Sequence, residues 1–486
     1  MSTPKIDPTL KKPASGDGGG PLYAETVMIH PRTVKGIFRT WKWAAMAVLL
    51  AIYHIGPFLR WDRGPGAPNQ AILADMAGRR GYFFFLEIWP QEVYYITGLL
   101  FIAAISLFFM SSLAGRVWCG FLCFQTVYTD LFMFVERLVV GDRAKRMAMD
   151  RAPWSADKLA KKVVINLVWL VIALSCGVGF TLYFGDAPTM LVDIFTGNES
   201  SAVYSAIGVV GGACFLLAGY AREQVCLYMC PYSRFQSAMF DEHSLIVTYQ
   251  DWRGEPRKPA RKTETFDNRG HCIDCKMCVT ACPTGIDIRD GIQMACIGCA
   301  LCIDACNTMM DKFKLPRDLI VWDSISNVAA HAKGEPGKVR LIRPRTIVYT
   351  VLITLVGSLI VGSLASRATT EVKVIHERSP LYVQMSDGSI RNGYVVKVSN
   401  MVREDRGYEL EVQGIEGASL SVIGGEASGA KAHLTIAPDA IGTFNVFVNA
   451  PVNKLSGNRT SLVFALREDK EGHVTRADSL FAAPEK

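Results

Sequence analysis

The stretch Cys272-Ile-Asp-Cys-Lys-Met-Cys-Val-Thr-Ala-Cys-Pro283 and its echo Cys296-Ile-Gly-Cys-Ala-Leu-Cys-Ile-Asp-Ala-Cys306 decide how this chain is read. Each run spaces its cysteines as Cys-x2-Cys-x2-Cys-x3-Cys. Three thiolates so close in sequence reach three irons of one [4Fe–4S] cube, and the fourth thiolate of each run ligates the other cube. One cluster is therefore expected on Cys272, Cys275, Cys278 and Cys306. The second is expected on Cys296, Cys299, Cys302 and Cys282. Pro283 follows the first run as the pattern requires, whereas Asn307 stands where the second run often has proline. Zinc is the competing reading, but it takes four ligands in two pairs, and eight matched cysteines disfavour it. Such clusters move one electron at a time.

Working outward, the 486 residues carry 52 Lys plus Arg against 45 Asp plus Glu, a net charge of +7. Only 20% are charged, half are hydrophobic, and the mean hydropathy is +0.20. Soluble proteins usually hold about 25% charged residues. The balance points to membrane spans and excludes a disordered or fibrous chain. Fourteen cysteines, all but Cys176 and Cys214 in clusters, are unlike a disulfide framework and indicate metal thiolates in a reducing compartment.

Apolar runs near the roughly 20 residues that cross a bilayer lie at 41–59, 93–114, 163–184, 203–221 and 346–366. A sixth stretch, Trp118 to Val140, is broken by Gln125, Asp130, Glu136 and Arg137, and is expected at the interface or packed against the bundle. Lys and Arg set the orientation. Nine fall between Gly115 and Lys162, six precede Trp41, and none lies between Gly185 and Ala202. The four Arg between Arg60 and Glu92 sit on the side expected to face outward, against the trend. The fold class read from this is an α-helical membrane bundle of about five spans, an inserted α+β ferredoxin-like two-cluster domain, and an all-β immunoglobulin-like sandwich. The expected order is a cytoplasmic tail over 1–40, four spans over 41–221, and a cytoplasmic cluster domain over 222–345. A fifth span over 346–366 and a periplasmic sandwich over 367–486 follow. The topology absorbs most of the positive excess, so no nucleic-acid partner is expected.

The sandwich is read from period-two alternation in Leu381–Met385, Tyr394–Ser399, Tyr408–Gln413, His433–Ile436, Phe444–Val448 and Ser461–Ala465, with turn signals at Asp387-Gly388 and Glu416-Gly417. It shows no catalytic constellation and reads as a docking module. An internal repeat also appears. The second span runs into Cys119-x3-Cys123 and the fourth into Cys226-x3-Cys230. Residues four apart share a helical face, so each pair offers two thiolates to one soft ion. Such ligands select Cu(I). Cys119, Cys123, Cys226 and Cys230 are therefore candidate copper thiolates, with a further cluster or a disulfide-exchange site as alternatives, and plain buried cysteines as the bland one. Cys176 and Cys214 are expected to pack between helices. His54, the sole histidine in a predicted span, is expected to hydrogen-bond within the bundle, which disfavours haem b. No Walker loop and no Cys-x-x-Cys-His occurs. No convincing dinucleotide fingerprint is seen either, so electrons are expected from a separate donor.

Trp61-Asp-Arg-Gly-Pro-Gly-Ala-Pro-Asn-Gln70, Glu87-Ile-Trp-Pro-Gln-Glu-Val-Tyr-Tyr95, Cys119-x3-Cys123, Cys226-x3-Cys230-Pro231, the paired cluster runs, Ser379-Pro-Leu-Tyr-Val383 and Ile390-Arg-Asn-Gly-Tyr394 go together. In this combination the chain resembles the cytochrome c oxidase accessory family CcoG, also called FixG or RdxA, over nearly its whole length. The resemblance implies a bacterial inner-membrane protein serving assembly of cbb-type oxidases, and a cupric reductase converting Cu(II) to Cu(I). It implies two [4Fe–4S] clusters on the eight cysteines above. The expected partners are the lipid bilayer, a cytoplasmic electron donor, a copper transporter or chaperone, oxidase subunits, and a second copy in a homodimer. The competing functions are an electron relay to a quinone or membrane reductase without its own substrate, and a scaffold with structural clusters.

Overall fold

The computed structural model describes residues 28–64, 66–261, 266, 269–424, 426–455, 457–470 and 472–484, so the first 27 residues of the expected tail lie outside the described residues. The chain divides into two units, the first running essentially through residue 360 and the second covering 361–486 with 63–67.

The first unit opens with α1 (Ile37–Ile55) and a small antiparallel sheet, β1 (Ile72–Asp75), β2 (Arg80–Phe83) and β3 (Leu86–Ile88). Helices α2 (Tyr94–Ala114), α3 (Phe124–Val139), α4 (Arg143–Arg151), α5 (Ala156–Thr181), α6 (Ala187–Thr196), α7 (Ser201–Cys214, continued by a π-helical segment to Ala221) and α8 (Pro231–Met239) follow. Strand β4 (Ile246–Tyr249) and helices α9 (Asp251–Gly254), α10 (Met277–Ala281) and α11 (Leu301–Phe313) come next, then β5 (Ile320–Asp323), α12 (Ile325–Ala332) and α13 (Pro344–Ala365).

Among the described residues, four helices are long and apolar enough to cross a membrane: Pro90–Ala114, Ala156–Thr181, Ser201–Ala221 and Pro344–Ala365. The first of the five expected spans, α1, stops at Ile55 rather than Leu59 and carries Arg39 and Lys42 in its opening turns. Both cations are buried and meet Asp130 of α3, Arg39 at 2.7 Å and Lys42 at 3.8 Å, with Arg137 at 3.7 Å from the same carboxylate. A buried charge persists only when paired, and here Lys42 of the 41–59 stretch and Arg137 of the 118–140 stretch share the Asp130 carboxylate with Arg39. The rest of α3 packs inward. Phe132 stacks on Trp169 of α5 at 5.2 Å, and the Trp169 indole donates to the Phe132 carbonyl at 3.0 Å. Small residues bring α5 and α7 together: a Cβ on Gly177 would meet the Ile207 carbonyl at 2.5 Å. Cys176 and Cys214 are buried in that same helical core, and His54 Nδ1 lies 3.0 Å from the Leu50 carbonyl.

Contacts sort the loops into two ends. At one, Arg60 pairs with Asp186 at 2.6 Å and the Gln70 amide donates to the Leu182 carbonyl at 2.9 Å. Arg80 pairs with Glu87 at 3.0 Å. Two of the anomalous arginines between Arg60 and Glu92 are thus answered by carboxylates. At the other end, Asp142 accepts from Thr33, and Asp304 of α11 accepts from the Phe38 and Arg39 amides at 3.3 and 2.8 Å, capping α1. A side chain at Gly36 would collide with Asp304, its Cβ 2.2 Å from Cγ.

The second unit holds two antiparallel sheets. One has the order β10 (Ser419–Val422), β13 (Ala440–Pro451), β8 (Ser389–Asn400), β6 (Thr370–His376), with β7 (Val383–Gln384) paired to β8. The other has the order β11 (Glu426–Ser428), β12 (Lys431–Ile436), β9 (Arg406–Gln413), β14 (Arg459–Glu468), β15 (Val474–Ala482). Inward residues of both, among them Tyr394, Val396, Leu410, Val446 and Phe464, share one core, as face-to-face sheets require.

Candidate functional site

The two cysteine runs are built as copies. In the first, Asp274 and Lys276 have φ of 50° and 54°; in the second, Gly298 and Ala300 at the equivalent positions have 67° and 57°. These left-handed residues flank the middle cysteine of each run, turn the chain around it, and deliver the third cysteine to the first turn of a helix, Cys278 in α10 and Cys302 in α11. Only asparagine, aspartate and glycine adopt this conformation readily, so Lys276 and Ala300 hold it at a cost.

The thiols gather in two sets. Cys306 of α11 lies within electrostatic reach of Cys278, Cys275 and Cys272, and together with burial these raise its pKa. Burial and then Cys299, Cys296, Cys282 and Cys278 raise Cys302. One cavity is walled by Cys282, Cys296, Cys299 and Cys302 together with Cys278 of the other set, with Val247, Ile286, Ile288 and Ile297 around them. Burial pushes Cys278 and Cys299 up to about 12 and Cys296 up to about 11. Packed thiols of this kind keep their protons until a cation replaces them, which is the chemistry an iron–sulfur centre supplies. Among the described residues, no three His, Cys, Asp or Glu side chains close on a single metal ion. A cube does not need that convergence, because its thiolates bind four different irons.

The membrane-side cysteines depart from their expected geometry. Each pair falls in a π-helical turn, Trp118–Leu122 and Val225–Met229, closed by Cys123 N–H to the Trp118 carbonyl and Cys230 N–H to the Val225 carbonyl, both at 2.8 Å. Cys123 and Cys230 are extended N-cap residues of α3 and α8. The members of a pair therefore do not share the face of a regular helix, and the four thiols do not form a closed copper site. The cause lies four residues upstream of the first cysteine of each pair. There the preceding helix breaks at Gly115 (φ 63°, ψ −131°) and Arg222 (φ 43°, ψ −116°).

The structure brings these turns to the second cysteine run. Cys119 and Cys226 pack on Ile297, Cys299 and Leu301. Gly120 touches the loop so closely that a Cβ would lie 2.8 Å from the Gly298 carbonyl oxygen. Arg116, buried, donates to the Met294 carbonyl at 2.6 Å, to the Cys296 carbonyl at 3.1 Å, and to the Ser233 carbonyl at the start of α8. The Cys119 thiol donates to Gln236 Oε1 at 3.4 Å. Burial, then the neighbouring Cys123, push Cys119 up to about 12, and Cys226 is raised to about 11 by burial and by Cys123. Arg116 pulls both down. Sequence reasoning missed Arg116, Gly120, Gln236 and Asp304. A glycine directly after the first cysteine of a pair was the one signal on offer.

Residues 221–325 match a family described as a 4Fe-4S dicluster domain, and residues 360–484 match the IG-like fold at the C-terminus of FixG. The chain is 43% identical to the nitrogen fixation protein FixG of Rhizobium meliloti, covering 90% of this chain and 89% of that protein. It is 46% identical to protein RdxB and 45% identical to protein RdxA of Cereibacter sphaeroides, over 84% and 89% of this chain and 86% and 91% of theirs. The chain belongs to the FixG/RdxA family. A crystal structure of a FixG-related protein from Vibrio parahaemolyticus is 21% identical over 24% of this chain and 97% of that one, with a TM-score of 0.21. The family membership and the dicluster match make this an iron–sulfur membrane protein whose C-terminal unit is immunoglobulin-like. The cysteines present fit the clusters: eight thiols in two neighbouring sets, Cys306 near Cys278, Cys275 and Cys272, and Cys302 near Cys299, Cys296 and Cys282.

Proposed function

We propose that the protein takes electrons from a donor on its cytoplasmic side and reduces Cu(II) to Cu(I), supporting copper delivery to a cbb-type cytochrome c oxidase. The observation that carries this reading is the packing of Cys119 and Cys226 against the Ile297–Leu301 loop. It sets soft sulfur ligands directly beside the second run of cluster cysteines. When bound, the two [4Fe–4S] clusters supply one-electron redox chemistry. Cu(II) is the substrate, and it gains one electron to become Cu(I). The membrane-side thiols favour that product because soft ligands bind Cu(I) more tightly than harder ions. Burial keeps Cys119 and Cys226 protonated in the resting protein, so copper entry displaces their protons, and Arg116 eases the exchange. The positively charged end of the bundle, with the cluster segment, faces the cytoplasm by the inside-positive trend. The sandwich then lies on the periplasmic side, where it can dock oxidase subunits or a copper carrier.

The test uses anaerobic full-length protein with its clusters, a chemical reductant, Cu(II) and a Cu(I)-specific chelating dye. Wild type should produce Cu(I) faster than cluster-free protein. Cys226→Ser with Cys230→Ser should lose copper reduction and keep the iron–sulfur spectrum. Equal rates for wild type, the double variant and cluster-free protein would overturn the reading. The relay function would then stand in its place.

A further inference from the structure

A cavity of about 140 Å³ lies outside the thiol sites, in the first unit. It sits where α5 passes from Lys162 into its apolar run and where the span of α7 ends before Arg222, so it marks the boundary of the membrane-spanning segments. Its walls are largely apolar. Trp169 forms one side, held by its stack on Phe132 and by the edge of Tyr220 at 6.0 Å.

The polar side is unusual. Glu136 pairs with Arg146 at 3.2 Å and also with Arg222, so one carboxylate engages both guanidinium groups. Lys162 lies 3.9 Å from Asp150. Yet His30 Nδ1, Arg146 Nε and Arg222 Nη1 are buried and have no hydrogen-bond partner among the described residues. His30 is only 8% exposed, and its Nε2 meets Asp150 at 2.8 Å. That pairing places the ring proton on Nε2 and turns the Nδ1 lone pair toward the cavity. Burial lowers the His30 pKa, which keeps the ring neutral.

We propose that this cavity binds the headgroup of a membrane quinone. The ring fits an apolar slot at the bilayer boundary. A quinone carbonyl accepts from the unpartnered Arg222 or Arg146 nitrogen, and a quinol hydroxyl donates to His30 Nδ1. An anionic lipid headgroup suits the site less, because Glu136 already answers both arginines. The site also lies on a short path to the cysteine runs. Two residues beyond His30, which span at most about 7 Å, Arg32 donates its N–H to the Thr280 carbonyl at 2.8 Å, between Cys278 and Cys282. The inference deepens the electron-transfer reading by naming the class of its electron partner. Binding itself does not depend on that reading.

The experiment places the full-length protein in neutral phosphatidylcholine nanodiscs, with and without its clusters. It is labelled with a photoreactive azidoquinone in competition with decylubiquinone. Label should map to peptides containing His30 or Trp169 in both preparations. His30→Ala should weaken competition about tenfold, the loss of one buried hydrogen bond to a neutral group or slightly more, and His30→Gln, which keeps an acceptor, should recover part of it. Absence of saturable labelling, labelling elsewhere, or displacement by cardiolipin but not by decylubiquinone would each overturn the proposal. If quinone binds while copper reduction fails, the copper-reductase reading falls and the site remains.

Discussion

Replacing Gly120 by alanine tests whether the membrane turns and the second cysteine run form one structure. The added Cβ would lie 2.8 Å from the Gly298 carbonyl oxygen, 2.9 Å from its carbon and 3.0 Å from Cys299 Cα. All three neighbours are backbone, so no side chain can swing aside. Ordinary contact begins near 3.5 Å, and the loop must retreat by about half an ångström or more. Its freedom to do so is small. Gly298 already faces Arg116, where its own Cβ would meet backbone and side-chain atoms at 3.1 Å, and Arg116 is tied to the Met294 and Cys296 carbonyls. Overpacking of this kind costs about 1–3 kcal/mol, a factor of roughly 5–150 in the equilibrium between the docked and undocked loop. Iron per chain should fall, the melting temperature should drop, and whatever protein retains its clusters should reduce copper more slowly. Gly208→Ala is the control. Nothing lies within 4 Å of a Cβ there, and alanine gains up to about 1 kcal/mol over glycine inside a helix. Iron analysis, thermal unfolding in detergent and the Cu(I) dye assay are run on both variants. Should Gly120→Ala match Gly208→Ala in all three, the close packing of turn and loop has no consequence and the reasoning fails.

Other perturbations follow from the same geometry. Cys306→Ser should halve the iron and remove one of two cluster signals in electron paramagnetic resonance, while Cys282→Ser removes the other; loss of the same signal in both would refute the crossed sets. Asp130→Asn leaves Arg39, Lys42 and Arg137 buried without their counter-ion and should destabilise the first unit by about 3–5 kcal/mol, measured as a lowered melting temperature; a shift no larger than that of a surface carboxylate would refute it. Because burial lowers the His30 pKa from 6.5, docking of the His30–Val34 segment is fully stable above pH 6.5 and weakens as pH falls through the depressed value. Hydrogen exchange at the Arg32 amide, corrected for intrinsic rates, should quicken on acidification in wild type and not in His30→Gln.

The parts of the fold governed by local period were legible. Alternation disclosed six strands of the sandwich because their inner faces are aliphatic or aromatic, as in β9, where Tyr408, Leu410 and Val412 are buried. Strands β6, β10, β11 and β15 escaped: β10 and β11 are only four and three residues long, and β6 and β15 each bury a single large apolar side chain, Val372 and Phe481. In β15 only Phe481 is buried, so most of its length offers no apolar beat. Sequence pattern also gave the cysteine runs, since cluster chemistry demands short loops. What it did not give is contact across long separations. Arg116 meets Cys296 and Asp304 caps α1 from a helix 265 residues along the chain, and nothing local announces either. The Cys-x3-Cys pairs misled because spacing alone assumes a regular helix. Gly115 hinted at a break, but Arg222, in the same conformation with a side chain, did not.

Within the first unit two repeats are placed against each other, and their copies differ where they meet. The membrane repeat consists of a spanning helix, a left-handed break, a π-turn and an N-capping cysteine, at 94–124 and again at 201–231. The cluster repeat consists of two left-handed residues around a cysteine and a helix start, at 272–278 and again at 296–302. In each repeat one of the differing positions lies where turn and loop meet. After the first cysteine of the membrane turn stands Gly120 in one copy and Leu227 in the other, and only the glycine admits a second backbone at contact distance. In the cluster loops, Gly298 replaces Asp274, and only the glycine can lie against Arg116 without a clash. The two glycines face one another across the packing of turn on loop. Symmetric copies would leave each cluster equally far from the membrane thiols. The paired glycines select one of them, the run from Cys296, and fix it beside Cys119 and Cys226. That inequality rests on the absence of two side chains, which lets the backbones of turn and loop meet at contact distance.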